Sequence, residues 1–173
     1  MVRVVVPAPS LFWYSDLMIN ALIRALYRLA HWGLRFVWLV RRPETTGVLV
    51  AVWYGGRVLL VKNSYRRQLT LPGGYVRQRE ERRNTAAREL HEEVGIRVQP
   101  KRLEHAYHGT HSFEHRQDTL DIYEVELEEE PTVRVDQREV VRAEFHTPDE
   151  ALNMTVVPHL AEYLSRRTGQ GSP

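Results

Sequence analysis

Apolar and polar residues follow different patterns along the chain, and these patterns predict its helices and strands. Residues 17–40 are mostly apolar with charges three or four apart, which predicts a helix ending at Arg41-Arg42-Pro43. Residues 46–54 are rich in β-branched residues, and 57–62 return after Gly55-Gly56. This arrangement predicts a β-hairpin with a two-residue turn.

The rest of the chain mixes both kinds of element. Residues 63–70 read as a polar loop, and Leu71-Pro72-Gly73-Gly74 is predicted to break regular structure. A helix is predicted over 81–93, and a last helix over 156–166 after a short one that begins with Pro148. Three further strands are predicted at 102–113, 119–127 and 139–146. One α/β or α+β domain is therefore expected.

Composition adds an exclusion and a charge asymmetry. The 173 residues include no cysteine, so disulfides and thiol chemistry are excluded, and a cytoplasmic location fits. The net charge is +2, yet residues 57–83 hold eight basic and two acidic residues, and 114–150 hold thirteen acidic and four basic. Adjacent basic and acidic stretches suit a site for phosphate and divalent metal, or simply two solvated surfaces.

Three glutamates stand out in the helix predicted over 81–93. At about 100° per residue, Glu89, Glu92 and Glu93 share one side of this helix, while apolar residues occupy the other. Neighbouring carboxylates repel one another. A solvated acidic face is one interpretation, and a site for Mg²⁺, which prefers oxygen ligands, is the other.

The residues around these glutamates match a longer motif. The pattern G-x5-E-x7-R-E-U-x-E-E-x-G-U, where U is aliphatic, is met at all nine specified positions between Gly74 and Ile96. The chain therefore resembles the Nudix hydrolases over roughly residues 46–165. The resemblance implies an α/β/α sandwich with a mixed sheet, and hydrolysis of a nucleoside diphosphate linked to a further group X. Its cofactor would be Mg²⁺, with Mn²⁺ as an alternative.

The resemblance also implies roles for individual residues. Glu80 and Arg88 would orient the carboxylates. Glu89 or Glu93 would help to deprotonate the attacking water. The metal ligands would be Glu89, Glu92, Glu93 and the carbonyl of Gly74.

One further acid is expected outside the motif, because many relatives carry one six residues before an aromatic near the end of the last strand. Phe145 takes the place of that aromatic, so Glu139 is expected as a distal metal ligand or base. Glu144 and Glu114 are the alternatives.

Three arginines are candidate substrate contacts. Arg66 and Arg67 lie in the loop before the motif, and Arg77 lies inside it, where many relatives carry glutamate. Arg79 replaces the usual glycine beside Glu80, so this loop is expected to be stiffer or differently turned. The specificity signatures of individual Nudix branches are mostly absent and none matches clearly, so the sequence leaves the substrate open.

Four histidines lie close together in the sequence. Alternate residues of a strand face one side, so spacings of three and four should not bring them together unless a loop intervenes. We therefore expect ordinary strand or loop histidines more than a metal site. The residues concerned are His105, His108, His111 and His115.

The domain organisation follows from these elements. We expect an apolar and basic helical extension over 1–44, a Nudix domain over 45–167 and a flexible tail over 168–173. No nucleic-acid-binding module is evident, and the resemblance implies a nucleotide-like small molecule as the partner. The apolar surface of residues 17–40 should be covered by the domain's own sheet or a second copy, or lie on an anionic membrane. A non-catalytic Nudix-like domain and a membrane-surface protein are the alternative functions.

Overall fold

A mixed seven-stranded sheet forms the centre of the computed structural model, which describes residues 12–41 and 44–169. Arg42-Pro43 of the predicted helix stop, residues 1–11 of the predicted extension and residues 170–173 of the predicted tail lie outside the described residues. The helices are α1 Phe12–Arg41, α2 Arg82–Val94, α3 Pro148–Leu152 and α4 Pro158–Arg167. The strands are β1 Glu44–Tyr54, β2 Arg57–Asn63, β3 Leu69–Thr70, β4 Gly73–Tyr75, β5 Glu104–Phe113, β6 Arg116–Glu126 and β7 Val140–His146.

Strand β1 is the centre of the sheet. It pairs in parallel with β6, so that Val48 lies beside Asp121, and β6 pairs antiparallel with β5. The start of β1 also pairs with β4, and its end pairs with β2 beyond the predicted Gly55-Gly56 turn. Strand β2 pairs antiparallel with both β3 and β7. The mixed sheet matches the predicted architecture.

Alternate residues of β1 enter two different cores, because successive side chains of a strand point to opposite faces. Val48, Val50 and Val52 pack with Leu90 and other residues of α2 on one face. The other face packs against α3 and α4, with Leu49, Ala51 and Trp53 of β1 among its residues. Both faces of the sheet are covered by helices, so the predicted α/β/α sandwich is confirmed.

Two short strands were not predicted. Strand β3 lies at the end of the expected loop 63–70. Strand β4 begins within residues 71–74, where regular structure was expected to break. Gly73 pairs with Leu49 and Gly74 with Val48. The expectation for Gly73-Gly74 was wrong because both residues pair with β1. This strand is distant in sequence but adjacent in the sheet, and it satisfies their backbone hydrogen-bonding groups.

The ends of other elements agree closely with their sequence signals. Pro148 is at the start of α3, where Thr147 and Glu150 form a reciprocal capping box. Pro158 begins the last helix at its first turn. A left-handed Gly95 ends α2.

Helix α1 lies against the domain by one face only. Of the fourteen large hydrophobic side chains that are exposed within the described residues, twelve belong to α1. Of the three alternatives for this apolar surface, cover by the domain's own sheet is therefore not what the structure shows, and a second copy and a membrane stay as predictions. The two faces of the sheet are already occupied by α2 and by α3 with α4. In the part of the chain that the structure describes, no helix is long and apolar enough to cross a membrane.

Candidate active site

A cavity of about 410 Å³ lies beside the β1–β4 pair. Glu89 and Glu93 of α2 line it, and Glu139, which immediately precedes β7, reaches it from another side. One face of α1 completes the wall with five residues, Tyr27, Ala30, His31, Leu34 and Trp38. Asp118 of β6 also lines the cavity, so the fold brings four acids from three distant segments together.

Glu89 lies directly against the backbone of Gly74. A β-carbon at Gly74 would lie 2.6 Å from the carboxyl carbon of Glu89, and such a contact is too close for any side chain. Any other residue at this position would push the Glu89 carboxylate away from the β4 backbone, whereas glycine lets the two lie side by side. The first glycine of the sequence motif thus has a direct structural reason.

Glu93 is deeply buried at the cavity, with 6% of its surface exposed. Its Oε2 accepts a hydrogen bond of 2.9 Å from the backbone N–H of Gly73. Burial raises the pKa of Glu93 well above its ordinary value, and the charges of Glu139 and Glu89 raise it further. The ionised carboxylate is therefore costly in the metal-free protein.

Arg88 organises a second part of the acidic cluster. Its Nε and Nη2 donate to the two carboxylate oxygens of Glu80 at 2.9 and 3.0 Å. Its Nη1 donates to Glu89 at 2.7 Å and to Glu92 at 3.0 Å. The guanidinium of Arg88 lowers the pKa of Glu80 to about 2, whereas burial raises the pKa of Glu89. One arginine therefore links the loop after β4 to two carboxylates of α2.

Glu139 is held by two residues that the sequence analysis did not select. The hydroxyl of Tyr65 donates to its Oε1 at 2.8 Å. The carboxylate of Asp136 accepts from the backbone N–H groups of Glu139 at 3.1 Å and Val140 at 2.9 Å, which fixes the turn before β7. An aspartate three residues before the acid was the available signal for this turn. Nothing local in the sequence connects Tyr65 with Glu139.

A family model described as NUDIX domain matches residues 39–166. The chain belongs to the Nudix family. This family hydrolyses nucleoside diphosphates linked to a further group, so the chain is a Nudix-type pyrophosphohydrolase. The resemblance found in the sequence is thereby confirmed.

Solved structures share the fold. The MutT protein from Methanosarcina mazei Go1 is 18% identical, with a TM-score of 0.65 over 76% of this chain and 98% of that one. A MutT Nudix hydrolase from Burkholderia pseudomallei is 21% identical, with a TM-score of 0.62 over 70% and 96%. A C. elegans Ap4A hydrolase is 17% identical, with a TM-score of 0.59 over 73% and 96%. A search of curated proteins finds no match.

The remaining Nudix-motif acid, Glu92, lies outside the cavity wall. Its side chain is 49% exposed and approaches Arg77 at 3.8 Å in addition to Arg88. The helical wheel placed the three glutamates on one side, and the structure separates them by depth. Glu89 and Glu93 face the cavity, whereas Glu92 lies at its outer edge.

The two alternatives to Glu139 lie elsewhere. Glu144 forms a two-pronged pair with Arg142, with 2.6 Å between Arg142 Nε and Glu144 Oε1, and it does not line the cavity. Glu114 lies in the tight turn between β5 and β6 and pairs with His31 of α1 at 3.3 Å and with Arg66 at 3.3 Å. Both carboxylates are already neutralised by basic partners.

The three candidate arginines have different positions. Arg66 lines the cavity beside its pair with Glu114, whereas Arg67 and Arg77 are exposed and do not line it. Arg79 has φ +65°, in the left-handed region, and the N–H of Glu80 donates to the carbonyl of Arg77 across this turn. The loop therefore keeps a turn that glycine would adopt without strain.

Two of the four histidines meet at one acid. A register shift between His105 and Tyr107 places His105 and His108 at 2.9 and 2.8 Å from Oδ1 of Asp121. The expectation that a spacing of three would keep them apart was wrong, because the bulge adds one residue to the strand. His111 instead pairs with Glu162 at 2.9 Å. His115 is exposed in the β5–β6 turn.

The donor groups of the cavity fit a hard divalent cation. Within residues 12–41 and 44–169, no three acidic or histidine side chains form a preformed metal-binding cluster. The cavity does bring together two carboxylates whose pKa is raised by burial, Glu89 and Glu93, with Glu139 and the backbone of Gly74. Oxygen ligands of this kind suit Mg²⁺ or Mn²⁺, and a cation would relieve the mutual repulsion of the acids.

Proposed function

We propose that this protein hydrolyses the diphosphate linkage of a nucleoside diphosphate joined to a group X, and that the reaction depends on Mg²⁺ or Mn²⁺. The observation that carries the proposal is the meeting of Glu89, Glu93 and Glu139 in one cavity. Glu89 and Glu93 come from the Nudix motif, and Glu139 comes from outside it. The products are a nucleoside monophosphate and phospho-X.

The metal would be held by Glu89, Glu93 and Glu139 with the carbonyl of Gly74, and by Glu92 at the outer edge. A bound divalent cation neutralises diphosphate oxygens and lowers the pKa of water. The hydrogen bond from Gly73 orients Glu93, and Arg88 orients Glu89 and Glu92 through its anchor on Glu80.

Glu139 is the carboxylate best placed to accept a proton from the attacking water. Tyr65 occupies its Oε1 and so fixes the orientation of the group, which leaves Oε2 for the proton. Arg66, at the cavity wall, offers a guanidinium to the substrate phosphates, and Arg77 and Arg67 offer charge from outside it. This assignment keeps the acidic residues on the water side and the basic residues on the phosphate side.

A screen for the two products tests the proposal, with an added phosphatase that releases phosphate from the nucleoside monophosphate and phospho-X, because the reaction itself frees no inorganic phosphate. The purified full chain is incubated with a panel of nucleoside diphosphate derivatives, each with Mg²⁺, with Mn²⁺ or with a chelator. We expect at least one derivative to be cleaved with metal and none with chelator. A non-catalytic Nudix-like domain would bind a member of the panel in calorimetry and cleave none, which would overturn the proposal.

A further inference from the structure

Helix α1 forms part of the cavity wall and also presents the largest exposed apolar surface in the described residues. Its inner face is held by few polar contacts. Arg24 donates to the carbonyl of Gln137 at 3.1 Å, His31 pairs with Glu114 at 3.3 Å, and Asn20 accepts from Arg138 at 3.2 Å. The segment that carries Glu139 is thus in direct contact with this helix.

The part of the cavity beside α1 is apolar. Ala30, Leu34 and Trp38 lie on the helix side, opposite Leu49 and Leu120 of the sheet. Thr70, Asp118 and His159 also line the cavity, but they lie outside this apolar stretch, whose five side chains offer only the indole N–H of Trp38 for hydrogen bonding. This wall suits a hydrocarbon better than a nucleobase.

The aromatic residues at this wall contact one another. The rings of Tyr27 and Tyr65 stack with centroids 6.3 Å apart, and His31 lies 4.9 Å from Tyr65. Tyr27 and Leu34 nevertheless keep 38% and 49% of their surface exposed. The cavity is therefore open to the outside along α1.

The outer face of α1 is apolar over a wide arc. When the helix is viewed along its axis at about 100° per residue, an arc of about 200° contains no charged residue. Trp32 and Phe36 are 74% and 71% exposed on this arc, together with Met18, Leu22, Leu26, Leu29 and Val40. A contiguous apolar surface of this kind marks an interaction site.

The width and charge of the helix favour a membrane surface. A helix that pairs with a second helix needs only a narrow apolar stripe, whereas a helix lying in a bilayer interface immerses a broad one. Residues 18–41 contain four arginines and no acidic residue, which complements anionic headgroups. Arg35 lies 3.8 Å from Glu114 of the domain, whereas Arg28 is exposed at the border of the apolar arc, where its guanidinium can reach headgroups while the arc is immersed.

We propose that α1 docks on an anionic phospholipid membrane and that the group X of the substrate is a lipid. This inference rests on the proposed function and specifies its X. The diphosphate would reach Glu89, Glu93 and Glu139, while the hydrocarbon beside it contacts Leu34 and Trp38. Water adds its oxygen to one phosphorus, and the bridging oxygen leaves with the other phosphate. The products are a nucleoside monophosphate and a lipid phosphate, and the two hydrogens of the water are shared between them or released as protons.

A matched pair of substrates tests the lipid assignment. Diphosphates of adenosine, guanosine, cytidine and uridine are joined either to diacylglycerol in phosphatidylcholine–phosphatidylglycerol vesicles or to glycerol in solution. We expect kcat/KM to favour a diacylglycerol form by about tenfold or more, because the chains add apolar contact. Equal or better cleavage of the glycerol forms would overturn the lipid assignment and leave the proposed function standing. Cleavage of neither would count against both.

Variants of the helix test the two faces separately. Leu29→Glu on the outer arc should abolish co-sedimentation with the anionic vesicles and lower lipid cleavage about tenfold or more, because an ionised side chain is costly in lipid. Leu34→Asn on the inner face should keep co-sedimentation and raise the KM for the lipid form. Met154→Glu, at an exposed methionine far along the chain, is the control and should change neither.

Two further measurements keep the test decisive. Circular dichroism melting establishes that each variant folds as the parent chain does. Analytical ultracentrifugation in detergent-free buffer detects a dimer. A dimer that Leu29→Glu converts to a monomer, with no sedimentation of the parent chain on vesicles, would overturn the membrane surface in favour of a second copy.

Discussion

The acidic cluster has two halves that neutralise charge differently. Glu89 and Glu92 share the guanidinium of Arg88, which is itself anchored on Glu80. Glu93 and Glu139 have no such support. In the described part of the chain no salt bridge reaches Glu93, whose partner is the backbone of Gly73, and Glu139 is held by a tyrosine hydroxyl. The carboxylate charges of the first half are balanced by an arginine of the protein, whereas those of the second half are not.

This difference indicates where a cation is needed. A buried carboxylate without a positive partner is normally protonated or metal-bound, because burial penalises its charge. Arg88 fixes the geometry of one half in advance. The other half keeps its repulsion until a ligand arrives, and that repulsion becomes binding energy for the cation.

The largest effect is expected when the unsupported half loses its buried acid. Glu93→Gln should lower kcat/KM by about 10²- to 10⁴-fold, a range typical of groups that handle charge in catalysis. Glu92→Gln should also remove most turnover, because Glu92 belongs to the same motif. In metal-free buffer Glu93→Gln should melt at a higher temperature than the parent chain, whereas Glu92→Gln should not. Near-parental turnover by Glu93→Gln would overturn its assignment to the metal site, and equal melting of the two variants without metal would remove the distinction between the halves.

A second contrast tests the acid outside the motif. Glu139→Gln should lower kcat about 10- to 100-fold, as loss of a group that orients or assists a metal site commonly does. Glu144→Gln should stay within about twofold, because Glu144 is paired with Arg142 away from the cavity. Steady-state kinetics on the substrate found in the screen makes the comparison. A damaging Glu144→Gln would show that the last strand presents a different acid to the site.

The pH dependence of stability distinguishes the halves without any substrate. The folded-state pKa of Glu93 is raised above the ordinary 4.5, so the folded state holds its proton more tightly than the unfolded state does. Its contribution is most favourable at low pH and is lost as pH rises through the raised pKa, by at most about 1.4 kcal/mol per pH unit. Urea unfolding in chelator should therefore show Glu93→Gln gaining stability over the parent as pH rises.

Metal provides the control for this titration. Millimolar Mg²⁺ should restore the free energy of unfolding of the parent chain at high pH and should change that of Glu93→Gln less. Glu80 has a pKa lowered to about 2, so its contribution is present at pH above 4.5 and is lost only in strong acid. It should therefore contribute no slope over the same window. A stability difference that is independent of pH would mean that Glu93 is ionised at little cost.

The smallest effect concerns the loop that supports the arginine half. Arg79→Gly should stabilise the protein by about 0.5 to 1 kcal/mol, because relief of a left-handed residue slightly exceeds the entropy that glycine loses. Catalysis should change little, since Glu80 keeps its pair with Arg88. A fall in kcat would indicate that Arg79 itself holds the loop in its working position. Thermal melting and kinetics on the same preparation are sufficient.

The sequence predicted the parts of the site whose chemistry is local. The spacing of Glu89 and Glu93 on one helix, and the motif glycine at Gly74, follow from helical periodicity and from the family pattern. The Tyr65 hydrogen bond and the pairing of β4 with β1 depend on contacts between distant segments. The bulge that brings His105 to Asp121 depends on strand register. Periodicity alone carries no information about such contacts.

The parallel pairing of β1 with β6 has a consequence for how the chain folds. Its long parallel partner β6 lies far later in the sequence, and such distant pairings make folding slow, because a large loop must close before they form. During synthesis, β1 emerges well before β6, and α1 emerges before both. The cavity wall at Gly47 and Val48 therefore forms late, and α1, which lines the same cavity, is synthesised before the strand that completes that wall.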